Sequence, residues 1–385
     1  MAVALPLDGL VAYEFGSNVA GPFAGSILAE LGATLIKIER PEGDDARAWG
    51  PPFAEDGTAT IFHALNRNKK SVTVDLKDAE RVEALRRKIA AEADIVVQNM
   101  RPGAMKRLGL DAETLCALNP KLVYCNLNAF GADGPLKDRP GYDALMQAFG
   151  GIMSVTGDEG QAPVRCGISV IDMGTGMWCA IGILAALFRR GVTGKGGLVD
   201  AALFETAVQW MTFYSADYQT TGNLPKRHGS GVRGIAPYEA FQCEDGYLIV
   251  AASNDRLFLK LADALGRPDW KEDPRFSTNP QRDANRVELK RQLSNQLIQK
   301  PRAHWQNILD MAGVPNAPTQ SIDEVLDHPQ TIAAGMVQQI AGAPFGLVGM
   351  PLSFDRERPG LRSKAPDLGA DTDEILPPGE NKESA

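Results

Sequence analysis

The chain has 385 residues, 44% apolar and 23% charged, with a net charge of −8. That length carries two domains and a sizeable core, and the acidic balance argues against a nucleic-acid or polyanion surface as its main business. Five cysteines without metal or CxxC spacing, an opening Met1–Asp8 without a leader pattern, and no apolar run of about 18 residues predict a cytoplasmic, soluble protein with reduced thiols, no membrane and no metal site.

Leu10–Phe15 reads as a buried strand. Gly16-Ser17-Asn18 then turns into a helix with Pro22 in its first turn, Phe23, Ile27, Leu28 and Leu31 on one face, and Gly32 at its end. Ala33–Glu39 is a second strand, followed by an irregular loop from Arg40 to Asp56. After the polar run Asn66–Lys70 comes a strand at Ser71–Asp75. Asp78 opens a helix whose Val82, Leu85 and Ile89 are spaced three and four apart. Asp94–Gln98 and Lys121–Leu127 are further strands, with a helix at Asp111–Leu118 between them. This alternation predicts a doubly wound, Rossmann-like α/β domain with a parallel sheet and ligand sites beyond the strands' carboxyl ends. Asn18, Arg40, Asn99 and Arg101 all fall just past such ends.

Asp172 stands before a long apolar run, Met177–Phe188, closed by Arg189-Arg190-Gly191. The pattern predicts a buried helix with Asp172 at or beside its N-cap, where free N–H groups and the helix dipole should hold the carboxylate ionised, hence competent as a nucleophile. An ordinary cap is the plainer reading of the same residue. Gly191–Gly197 reads as a turn and not a P-loop, because Arg189 holds the first Gly position and Gly196 follows Lys195. Asp200–Tyr214 predicts a helix. From about Pro225 the texture changes to a basic Gly-rich loop, Arg227–Gly234, hairpin strands at Tyr238–Gln242 and Tyr247–Ala252, and helices at Asp255–Leu265, Asn285–Gln299 and His304–Ala312. The expected organisation is a large α/β domain (1–200), a linker (201–225), a small α+β domain (226–326) and a closing segment (327–385) whose Pro- and charge-rich tail frays at its end.

Several of these stretches are familiar. Leu7-Asp8-Gly9-Leu10, Ala20-Gly21-Pro22-Phe23, Leu31–Glu39, Leu65–Val72, Gln98–Gly103, Asn119–Tyr124, Arg139–Asp143, Thr193–Gly196, Asp273–Phe276 and Ala365–Gly369 resemble, in order, the family III CoA-transferases. That family includes formyl-CoA:oxalate and carnitine CoA-transferases and is related to α-methylacyl-CoA racemases. The resemblance implies an interlocked homodimer, with the final residues returning to the large domain. It also implies that acyl-CoA and a small carboxylic acid are the substrates, with no cofactor beyond CoA itself.

Residue by residue, the resemblance makes Asp172 the nucleophile. It implies CoA contacts at Val19, Ala20, Arg40, Val74, Lys77, Asn99, Met100, Arg101 and Arg107. Arg and Lys there suit phosphates, while backbone and apolar positions suit adenine and pantetheine. Tyr142 packs on or hydrogen-bonds the acyl-CoA or is a half-buried aromatic, and Asp143 orients the thioester or caps a turn. Gly229-Ser230-Gly231 is the nearest equivalent of the family's mobile, oxyanion-stabilising glycine loop or a simple interdomain turn. Racemases of this fold resemble Gly-His-Asp where this chain has Gly141-Tyr142-Asp143. Tyrosine, with an unperturbed pKa of about 10, is a poor base near neutrality. A racemase and a non-catalytic acyl-CoA-binding protein are the alternatives.

Overall fold

Short aliphatic runs in the first half of the chain pair into one sheet. In this computed structural model, which describes residues 5–377, its strands are β1 (Val11–Phe15), β2 (Thr34–Glu39), β3 (Lys69–Thr73), β4 (Ile95–Gln98), β5 (Val123–Asn128) and β6 (Gly197–Ala202). They lie in the order β3-β2-β1-β4-β5-β6, every pair parallel. The direction of winding reverses between β1 and β4, which opens a crevice at their carboxyl ends.

The connecting helices are α1 (Ala20–Glu30), α2 (Thr60–Asn66), α3 (Ala79–Glu92), α4 (Ala104–Arg107), α5 (Ala112–Leu118), α6 (Asp143–Phe149), α7 (Ile152–Val155), α8 (Val170–Thr193), α9 (Leu203–Trp210) and α10 (Thr212–Thr221). Alternate strand residues feed two cores. Ala12, Leu35, Ile95, Val97 and Cys125 meet α1 and α8, while Tyr13, Ile36, Val72, Val96 and Tyr124 meet α3 and α5. Helix α3 follows the expected pattern: Asp78 caps the N–H groups of Glu80 and Arg81, and Val82, Leu85 and Ile89 are its buried face. Helix α8 is the long central one, and by length and composition it could cross a membrane. Its inner face, from Ile171 through Gly176, Cys179 and Ile183 to Ala186, is instead buried within the first of these cores. Gly176 permits its close approach to α1, since a Cβ there would stand 2.8 Å from the Ala20 carbonyl oxygen.

Three expectations are corrected. Residues 197–202 are a strand, not part of a turn and a helix, because β5 supplies a full parallel ladder for them. The following helix therefore starts at Leu203, and 212–221 are helical too. Strand β3 starts at Lys69 rather than Ser71, because the buried Glu14 carboxylate neutralises a lysine that reads as solvent-facing.

The chain divides into two compact units. One comprises the residues up to Ile152, Arg165–Thr221 and the segment from Pro329 on; the other comprises Met153–Val164 and Gly222–His328. The second unit has its own sheet, β7 (Tyr238–Cys243), β8 (Gly246–Ala251) and β9 (Asn316–Pro318), antiparallel throughout. Around it lie α11 (Asp255–Ala264), α12 (Asp269–Glu272), α13 (Asn279–Ala284), α14 (Arg286–Leu297), α15 (Arg302–Ala312) and α16 (Ile322–Asp327). Phe241, Leu248, Phe258, Trp270, Leu293 and Leu309 fill its core.

The closing segment adds α17 (Pro329–Ala333), the short pair β10 (Val337–Gln338) and β11 (Leu347–Val348), and α18 (Thr372–Ile375) to the first unit. It runs along the outer edge of β3. Asn68 N–H donates to Ser363 O (3.1 Å), Asp371 N–H to Ser71 O (2.9 Å), and Thr73 N–H to Thr372 Oγ1 (2.9 Å). The frayed tail expected at the end of the chain lies outside the described residues.

Candidate functional site

The loops at the carboxyl ends of β1 to β4 carry most of the residues singled out in the sequence. Val19 is the N-cap of α1 and Ala20 its first residue, both buried. Asn99 follows β4, and its amide clasps the backbone of Ser17 across the crevice: Oδ1 accepts from Ser17 N and Nδ2 donates to Ser17 O, both at 2.9 Å. Its side chain is therefore spent on the β1–α1 turn. Met100 N–H donates to Gln98 Oε1 at 2.8 Å. Arg40 follows β2, half in solvent, its Nε donating to Gly43 O at 2.9 Å while its guanidinium also pairs with Asp45. Val74 is buried after β3, and Lys77, Arg101 and Arg107 stand exposed at the neighbouring strand ends. Exposed cations beyond the strands' carboxyl ends are suited to phosphate.

A second group forms at the head of α8. The helix starts at Val170, with Ser169 at the N-cap position, so Asp172 lies within the first turn. The capping carboxylate is Asp143, at the start of α6. Its Oδ1 accepts from Ile171 N (2.8 Å) and Asp172 N (3.2 Å). Its Oδ2 accepts from Gln147 Nε2 (2.6 Å), and Gln147 Oε1 takes Cys166 N (2.8 Å), fixing the approach to the helix. Asp172 makes no side-chain hydrogen bond or ion pair among the described residues.

The expectation that Asp172 is firmly ionised is corrected. Burial, with the Asp143 carboxylate beside it, pushes its pKa up to about 7. The helix N–H groups that would have favoured its charge are already given to Asp143. Tyr142, just ahead of α6, is 59% exposed. Gln147 went unnoticed in the sequence, although its position four residues after Asp143 on one helix face was the available signal.

Gly229-Ser230-Gly231 belong to the second unit. Gly229 has φ +61° and donates to Gly157 O (2.9 Å), Ser230 Oγ accepts from Ala240 N (3.0 Å), and Gly231 N–H donates to His228 O (2.8 Å). Arg227 holds the neighbouring backbone by donating to Met153 O (3.0 Å) and Gln161 O (2.6 Å). Among the described residues no cluster of His, Cys, Asp and Glu is arranged for a metal.

The parallel sheet, wound in two directions from β1, defines a Rossmann-like α/β protein with a separate small antiparallel domain. Comparison with known families is more specific, since residues 7–372 match the model described as CoA-transferase family III. A succinate–glutarate CoA-transferase of Agrobacterium fabrum is 36% identical, covering 92% of this chain and 93% of that one. An acetyl-CoA:oxalate CoA-transferase of Acetobacter aceti is 37% identical, covering 92% of each. A solved CAIB/BAIF family protein from Brucella suis superposes with a TM-score of 0.88 at 39% identity, over 97% of this chain and 98% of that one. The chain belongs to CoA-transferase family III and is an enzyme of that family.

Proposed function

We propose that the protein moves CoA from an acyl-CoA donor to a small dicarboxylic acid, with Asp172 as the nucleophile. The observation that carries the reading is the head of α8: an Asp172 carboxylate without a protein partner, on a turn whose N–H groups another carboxylate already caps. An Asp172 oxygen adds to the donor's thioester carbonyl, the C–S bond breaks, and a mixed anhydride and CoA thiolate result. The thiolate then attacks the Asp172 carboxyl carbon and the anhydride C–O bond breaks. This releases the donor acid and leaves an aspartyl-CoA thioester. The acceptor carboxylate reverses both steps and frees Asp172. No net proton is transferred. The oxyanions of each addition need N–H donors.

The exposed Arg40, Lys77, Arg101 and Arg107 support phosphate binding at the strand ends, beside the Val19–Ala20 and Asn99–Met100 backbone. Glutarate and oxalate, in the names of the similar enzymes, are both dicarboxylates, which supports that acceptor class. A homodimer is supported by the apolar side chains left open on the first unit, among them Phe188 at 79%, Val192 at 78% and Phe213 at 73% exposure.

Asp172→Ala should lower succinyl-CoA:glutarate and acetyl-CoA:oxalate exchange by about a thousandfold or more while calorimetric CoA affinity holds. Borohydride reduction during turnover should mark Asp172 in the wild type. Exchange at the wild-type rate in the variant refutes the nucleophile.

A further inference from the structure

Beneath the β1–α1 turn lies a cluster of charges that the exchange chemistry does not use. Lys37 on β2 and Glu14 on β1 both have side chains of 0% exposure. The Lys37 ammonium donates to Glu14 Oε1 (3.0 Å) and Gly16 O (2.6 Å) and forms an ion pair with Asp44 Oδ2 (2.8 Å). Lys69 on β3 holds the other oxygen of Glu14 (2.8 Å) together with Pro22 O (2.8 Å) and Asn66 Oδ1 (2.9 Å). Gly25 on α1 is needed there, because a Cβ would collide with the Glu14 carboxylate. Burial works against the charge on Lys37, but Glu14, Asp44 and Glu39 outweigh it and push its pKa up.

Burying ions costs several kcal/mol each before pairing, and apolar replacements often stabilise a fold as well or better. Stability alone is therefore a weak reason for this cluster, whereas directed hydrogen bonds are something an apolar core cannot supply. Asp44 Oδ1 accepts from Asn18 N (3.1 Å) and Ala46 N (3.0 Å), and Asp44 N–H donates to Glu39 Oε2 (3.1 Å). Lys37 thereby joins two loops. Through Gly16 O directly, and through Asp44 to Asn18 N, it grips the β1–α1 turn. Through Asp44 it also fixes the Arg40–Arg47 loop. The remaining polar backbone of that turn, Ser17 N and O, is held from the other side by Asn99. Asn18 sits at φ +68°, a left-handed conformation that this clamp maintains.

We propose that Lys37 is a positioning residue for acyl-CoA, locking the β1–α1 turn and the loop after β2 into one preorganised surface. The inference rests on the reading that CoA binds at these strand ends. Val19 and Ala20 have no polar side chains, so their contribution to a ligand is backbone placement and shape, which tolerate displacement poorly.

The test is calorimetric titration of free CoA into Lys37→Met and Arg40→Ala, with melting curves and succinyl-CoA kinetics alongside. Lys37→Met should raise the Kd for CoA and the KM for succinyl-CoA by about tenfold, with a far smaller change in kcat. If the single variant fails to fold, Lys37→Met with Asp44→Asn removes both charges, leaves Glu14 paired with Lys69, and should show the same loss of affinity. A lowered melting temperature with wild-type Kd and KM overturns the proposal in favour of a purely structural lysine. If Arg40→Ala weakens CoA while the Lys37 variants do not, the positioning role falls and the CoA site stands. If neither changes the Kd, the CoA reading falls and takes the proposal with it.

Discussion

Asp143→Asn separates the charge at the head of α8 from its shape. Asparagine keeps an oxygen for the N–H groups of Ile171 and Asp172, gives up the acceptor for Gln147 Nε2, and removes the negative charge beside Asp172. The Asp172 carboxyl is raised from 3.8 to about 7, with burial the larger cause and Asp143 the second. Asp143 thus accounts for the smaller part of the rise. Asp172 attacks as the carboxylate, so activity is present above its pKa and lost as pH falls through it. Lowering that pKa should carry the acid limb of the kcat/KM profile further into acid, by less than half of that rise. A profile of kcat/KM for acyl-CoA from about pH 4 to 8, which reports the groups of the free enzyme, reads this directly. An acid limb that stays in place, or moves to higher pH, refutes the carboxylate pair as the source of the shift.

Two more outcomes follow from features of the first unit. A carboxyl whose folded pKa lies above its unfolded one destabilises the fold once ionised; the penalty is absent below 3.8, grows with pH and is complete above about 7. Asp172→Asn should therefore melt above wild type at pH 8 and close to it at pH 4, and a gain confined to acid would contradict the assignment. The open apolar side chains of α8 and α10, Phe188, Val192 and Phe213, call for a covering surface. Light scattering should give twice the chain mass at micromolar concentration, and a monomeric mass there would rule out the homodimer.

Local pattern made much of the first unit legible. The i, i+3, i+4 spacing of Val82, Leu85 and Ile89 and the capping Asp78 led directly to α3, and the strand–helix alternation led to the parallel sheet. What escaped depends on partners distant in the chain. Gly197–Ala202 has weak strand propensity and becomes a strand through β5. Lys69 reads as a surface cation until Glu14, far away in sequence, is brought against it. Asp172 was legible as a helix-head aspartate, but its cap comes from Asp143, and burial together with that distant carboxylate reverses the expected direction of its ionisation. Gly229-Ser230-Gly231 were legible as a turn through glycine alone, whereas their anchorage by residues 153–161 was not.

The chain's own closing segment treats the two rims of the parallel sheet unequally. Along β3, residues 363–372 occupy the outer hydrogen-bonding groups, so that rim is finished within one polypeptide. At β6 no further strand of the sheet follows among the described residues, and Leu198 is 50% exposed. Shortening the protein from its carboxyl end would therefore do more than shed a loop. It would strip the border from β3, give the sheet a second raw margin, and turn a well-behaved polypeptide into one inclined to stick to its neighbours. An affinity handle beyond the last residue leaves that border intact, whereas trimming into Ala365–Ile375 unmakes it.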